Sequence, residues 1–246
     1  MLQQDAYKKS VYLIFTYKKY KINMLEIACF EITSAETALR SVADRIEFCS
    51  DQHLGGLTPD IEEFRYLKSV YRKPIYVMIR PVGGGFMYSE SEFRLMQKSI
   101  LEFKHAGADG FVFGILSNGN TIDMERNSVL IELAGQVPCT FHRAIDRTQN
   151  LETAVQNLIK LGFRAVLTSG GKATAWEGRE HLKDLIASYS HRLDILVGGG
   201  VRSGNIAELK EFTGGRHFHS SAIPQYESFA NEEEIRKLQM VIRPAH

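Results

Sequence analysis

The sequence predicts a single TIM-type (β/α)8 barrel, on three observations. At 246 residues the chain has the length of eight strand-helix units closed around one core. From Met24 onward, short runs rich in Ile, Val and Phe alternate with longer amphipathic stretches, the pattern of a parallel sheet wrapped by helices. Polar and charged side chains gather where those runs end, which is the functional face of such a barrel. A doubly wound open sheet competes with this reading, but no GxGxxG follows the first strand.

Composition sets the outer limits. With 44% hydrophobic and 24% charged residues, the chain reads as an ordinary globular domain. A net charge of +1 supplies no field to draw nucleic acid or an anionic membrane, so neither is expected as a partner. Cys29, Cys49 and Cys139 form no disulfide framework and no CxxC pair, which fits a reducing compartment. The apolar run 11–15 is too short to span a bilayer, and Lys18, Lys19 and Lys21 follow it without a cleavage signal. Residues 1–23 therefore read as a poorly ordered extension and 24–246 as one domain.

In chain order the strand candidates are 25–29, 45–49, 75–80, 110–114, 139–142, 165–168, 194–197 and 217–219. Between the third and fourth, Phe93, Met96, Ile100 and Phe103 recur at helical spacing. Ser34 and the pair Thr58-Pro59 are read as helix starts. Gly107 and Gly162 stand where a helix must end in a left-handed turn before the next strand.

Alternation along each strand separates the barrel interior from the helix-facing side. In the first strand Leu25, Ile27 and Cys29 face the helices, sending Glu26 and Ala28 inward; in the second, Ile46 and Phe48 face out, sending Arg45, Glu47 and Cys49 inward. Tyr76, Met78 and Arg80 of the third and Thr140 and His142 of the fifth also point in. Charge inside a barrel must be paired or face a wet pocket. Glu26 and Arg45 fit an internal ion-pair network as well as a functional one, whereas Glu47, Arg80, His142 and Asp146 are candidate catalytic residues near strand ends. The turn Gly198-Gly199-Gly200-Val201-Arg202 follows the seventh strand, where barrels often present N–H groups to a phosphate. Gly199, Gly200, Ser169, Arg143, Ser220 and Ser221 are the candidate anion-binding set, although a tight turn needing glycine is an equally plain reading of the glycines.

Several motifs together resemble the CutC family of copper homeostasis proteins. They are Arg45-Ile46-Glu47-Phe48-Cys49, Gly55-Gly56-Leu57-Thr58-Pro59, Val77-Met78-Ile79-Arg80-Pro81, Thr140-Phe141-His142-Arg143-Ala144 and His217-Phe218-His219-Ser220-Ser221. The resemblance runs in order from Met24 to Ala222. It implies a cytoplasmic TIM barrel, a homodimer, and copper(I) bound by thiols near the ends of the first two strands, here Cys49 with Cys29. The family pattern places a cysteine where this chain has Ala28, and an Arg-Pro-Arg-Gly-Gly-Asp run where this chain reads Arg80-Pro81-Val82-Gly83-Gly84-Gly85. Copper(I) prefers thiolate and thioether donors, so the loss of an inward cysteine weakens that site. The alternative is an isomerase or lyase binding an anionic, phosphorylated substrate at the strand ends, with Glu47 and His142 exchanging protons. A divalent ion on Glu26, Glu47, His142 and His219 is a further arrangement that spacing alone leaves open. No strand ends in a lysine that would form a Schiff base.

Overall fold

Each short β-branched or aromatic run is bracketed by turn residues and followed by an amphipathic helix, so successive strands can pair only in parallel, with helices crossing outside. In the computed structural model, which describes residues 23–243, this closes a barrel. Its strands are β1 (Met24–Cys29), β2 (Arg45–Phe48), β3 (Ile75–Met78), β4 (Gly110–Phe113), β7 (Cys139–Phe141), β8 (Ala165–Thr168), β9 (Asp194–Val197) and β10 (His217–Ser220). Each pairs in parallel with its sequence neighbour, and β10 closes on β1 with Glu26 opposite His219. The expected extension, 1–23, lies outside the described residues except for Asn23.

The surrounding helices are α1 (Ile32–Arg40), α2 (Ile61–Val70), α3 (Glu90–His105), α4 (Met124–Ala134), α5 (Leu151–Leu161), α6 (Arg179–Tyr189), α7 (Ile206–Thr213) and α8 (Glu232–Ile242). Phe93, Met96, Ile100 and Phe103 form the buried face of α3, whose start is fixed by a capping box between Ser89 and Glu92. Gly162 caps α5 with φ +90°, and Gly107 after α3 has φ +89°, as the sequence requires. Two helix starts fall elsewhere. The N-cap of α1 is Glu31, because Ser34 is buried and its Oγ accepts from the Ala230 N–H; that of α2 is Asp60, because Thr58 Oγ1 is taken by the Arg80 N–H.

A small hairpin, β5 (Leu116–Ser117) with β6 (Thr121–Ile122), and two 3-10 turns, Gln52–Leu54 and Arg143–Arg147, had no periodic signal and extend the loops after β4, β2 and β7. The strand parity holds. Leu25, Ile27, Cys29, Ile46 and Phe48 belong to the large apolar layer between barrel and helices, whereas Cys49, Tyr76, Met78 and Val112 form a separate cluster inside. No helix among the described residues is long and apolar enough to cross a membrane.

Candidate functional site

Four charged side chains form a row inside the barrel. The Arg45 Nε donates to Glu26 Oε2 at 2.5 Å, the His219 Nδ1 meets Glu26 Oε1 at 2.8 Å, and the His219 Nε2 lies 3.7 Å from Glu47 Oε2. The Arg45 guanidinium also stacks on the Tyr76 ring, 3.8 Å from its centroid. Burial by itself would raise the Glu26 carboxyl, but Arg45 and the hydrogen bond from His219 hold it at about 2, so it is ionised. For His219, burial disfavours the charged ring, yet the bond to Glu26 and the charges of Glu47 and Glu26 outweigh it and lift its pKa. Glu47 is different. Its burial dominates the attraction of His219 and pushes its carboxyl up to about 7, and its Oε1 has no hydrogen-bond partner among the described residues.

His142 leaves β7 at its C-terminal end and caps the following turn, its Nδ1 accepting from the Ala144 N–H at 3.3 Å. That bond places the ring proton on Nε2, which is buried without a partner. Burial, reinforced by the nearby Arg80 charge, lowers its pKa to about 3, so the ring is neutral at physiological pH. Gly114 makes room for it, since a Cβ there would lie 2.8 Å from the imidazole. The Phe86 ring covers its other side, with centroids 4.9 Å apart.

Arg80 and Asp146 are both heavily engaged. The Arg80 guanidinium donates to the carbonyls of Leu54, Gly56 and Gly84 and thereby fastens the loops after β2 and β3. Asp146 accepts from Thr168 Oγ1, the N–H groups of Ser169 and Gly171, Ser169 Oγ and Arg143 Nε. Arg143 continues to Ser169 Oγ at 2.6 Å and to the carbonyls of Lys172 and Ala173, so the loops after β7 and β8 form one clip.

The glycine turn follows β9. Gly199 (φ +100°) and Gly200 (φ +77°) occupy conformations that other residues rarely adopt, and a Cβ on Gly199 would sit 3.0 Å from Ser169 Cβ. Ser220 Oγ donates to the Val201 carbonyl, and Ser221 Oγ accepts from Arg202 Nη2 at 2.9 Å. Arg202, which no motif marks as functional, also donates to the carbonyls of Val201 and Ile223 and so binds the turns after β9 and β10 together. Only its position directly behind the glycines could have marked it.

These elements enclose a cavity of about 250 Å3 at the C-terminal end of the barrel. Glu47, Arg80, His142, Arg143, Gly199, Gly200, Ser220 and Ser221 all line it, joined by His219 and Arg202. Asp146 instead lines an adjoining outer cavity of about 970 Å3, and Ser169 lines neither. Cys29 and Cys49 do not converge. The Cys49 N–H donates to the Cys29 carbonyl at 2.8 Å, but the Cys29 thiol turns to the outer layer while Cys49 is packed inside, its Sγ 3.4 Å from where a Gly56 Cβ would stand. Burial, together with neighbouring carboxylates, pushes both thiols well above their ordinary range. A protonated thiol on each face of the sheet does not fit a two-thiolate copper(I) site. Among the described residues no group of three or more His, Cys, Asp or Glu side chains is set to hold a metal, so the divalent arrangement finds no support in the geometry.

The CutC family model matches residues 23–224. A CutC family protein of Vibrio vulnificus is 42% identical over 199 residues, covering 80% of each chain. The copper homeostasis protein cutC homolog of Homo sapiens is 39% identical over 81% of this chain and 73% of its own. The crystal structure of CutC from Streptococcus agalactiae superposes with a TM-score of 0.77 at 29% identity, covering 81% of this chain and 99% of that one. Phosphoribosyl anthranilate isomerase from Thermococcus kodakaraensis, at 14% identity and a TM-score of 0.60, shares the fold alone.

Proposed function

The chain belongs to the CutC family, and from that premise we propose that its barrel binds a small anionic metabolite in the inner cavity and exchanges a proton with it, as an isomerase or lyase does. One observation carries this reading: Glu47, with a carboxyl pKa of about 7 and an unpartnered oxygen, faces the same cavity as the neutral His142. A base whose pKa is near the working pH is both available and strong enough to take a proton from carbon or oxygen. A neutral imidazole that keeps its Nε2 proton can donate to an oxyanion as charge develops there, without the repulsion that burying an imidazolium beside Arg80 would bring.

The remaining residues serve placement. Gly199 and Gly200 offer backbone N–H groups to the anionic end of the ligand, with Arg202 fixing Ser220 and Ser221 beside it. Asp146, with its oxygens occupied, and Ser169 are positioning residues that hold Arg143 at the rim. Arg80 fixes two loops and shapes the cavity. His219, pinned by Glu26, sets the electrostatic surroundings of Glu47.

Copper(I) handling is the second reading, favoured by the names of the relatives and by Cys49, which packs inside the barrel with Met78. Copper would then be cargo, and Cys49 would have to lose its proton before binding it. The family reading also carries cytoplasmic residence and a homodimer, the latter checked by light scattering.

The deciding experiment incubates the protein in deuterium oxide with a panel of phosphorylated and carboxylated carbonyl compounds and follows carbon-bound protons by NMR. Exchange in one compound, abolished in Glu47→Gln while binding persists, is the expected result. Absence of both binding and exchange across the panel would overturn the enzymatic reading.

A further inference from the structure

The inner and outer cavities open side by side, and Gly55, Arg80, Phe86 and Arg143 line both. A molecule seated in the inner one therefore has walled space into which it can extend. That space is lopsided in charge. Arg80, Arg143, Arg147 and Lys172 face it against a single carboxylate, Asp146, on a chain whose whole net charge is +1.

The five groups are not equivalent. Asp146 is saturated by the donors of its clip, and Arg80 and Arg143 are held by backbone carbonyls. Arg147 and Lys172 make no side-chain hydrogen bond or ion pair among the described residues. Both nevertheless rise from anchored backbone: Arg147 ends the 3-10 turn that carries Asp146, and the Lys172 carbonyl accepts from Arg143. Surface cations usually stand against solvent or a nearby carboxylate, whereas these two border a concavity. Apolar side chains share it, since Leu54 and Met87 line the same cavity while 41% and 56% exposed. Exposed apolar surface beside unpaired cations in a concave wall is matched by a ligand with an uncharged body and an anionic end.

We infer that the site takes a metabolite with two anionic groups joined by an uncharged body, the inner group at the Gly199-Gly200 turn and the outer one on Arg147 and Lys172. This rests on the anion-binding reading of the inner cavity and adds the substrate class to it.

The test is isothermal titration of the full chain with inorganic phosphate and with alkane-α,ω-bisphosphonates of increasing length, in wild type and in the double variant Arg147→Ala/Lys172→Ala. Because both side chains are exposed, an unchanged melting temperature shows that the variant folds. One linker length should bind about tenfold tighter than phosphate, through the raised effective concentration of the second anion. The double variant should lose that advantage and keep its phosphate affinity. Phosphate binding without any gain from the second anion, or a gain that survives in the double variant, overturns the inference and leaves the inner anion site standing. Failure of phosphate and every bisphosphonate to bind overturns both.

Discussion

His219 stands between two carboxylates in unlike states: its Nε2 is 3.7 Å from Glu47 Oε2, and its Nδ1 is 2.8 Å from the ionised Glu26. One imidazolium cannot neutralise both, and Arg45 already completes the pairing of Glu26. Glu47 is left as the carboxyl that gains and loses a proton near neutrality.

Stability should therefore fall as pH rises through neutrality. The folded pKa of Glu47 is about 7 against an ordinary 4.5, so its contribution is full below pH 4.5 and lost as pH rises through about 7. His219, also raised, acts with the same sign above its ordinary 6.5. Glu47→Gln should flatten this slope and be more stable than wild type at pH 8, by on the order of 2 kcal/mol. Urea unfolding at pH 5 and pH 8 checks this; equal slopes in the two proteins would contradict the assignment.

His142 should not titrate between pH 5 and 8. Long-range nitrogen-proton NMR should show the Nε2-protonated tautomer throughout, because the ring is buried with a pKa of about 3. A titration midpoint near 6.5 would mean that the ring is solvated and the donor role fails.

Removing Asp146 should loosen the loops after β7 and β8 together. Asp146→Ala removes the acceptor shared by Thr168 Oγ1, the Ser169 and Gly171 N–H groups and Arg143 Nε, leaving Arg143 only its bonds to Ser169 and two carbonyls, a loss of about 3 kcal/mol, whereas Asp146→Asn should retain part of it. Thermal unfolding of the two variants gives the order; equal stability of all three proteins would refute the clip.

Anaerobic copper(I) competition against a chelator should find only weak binding, little changed by Cys49→Ala, since the two thiols face opposite sides of the sheet. Tight one-site binding that disappears in Cys49→Ala would establish copper handling in spite of Ala28.

Legibility followed the range of the forces involved. The strands were readable because β-branched runs and turn residues act locally, and parity then placed Glu26, Arg45, Glu47 and Cys49 correctly inside. The β5–β6 hairpin was not readable, because two-residue strands have no period to detect. Ser34 and Thr58 carry helix-start signals, yet neither caps a helix, because each hydroxyl serves a partner distant in sequence, Ala230 and Arg80.

By itself, then, the sequence determined the barrel, its inward charges and the end at which polar side chains gather, since alternation and periodicity are properties of neighbouring residues. Only tertiary structure decided which polar groups are used up and which keep an unpartnered atom. Asp146 is quenched by Thr168, Ser169 and Gly171, Arg80 by three carbonyls, whereas Glu47, with His219 near its Oε2 and the Cys49 thiol beside it, keeps Oε1 without a partner among the described residues. Hydrogen-bond saturation and desolvation depend on groups that different strands bring together, and closure of the barrel is what brings them there.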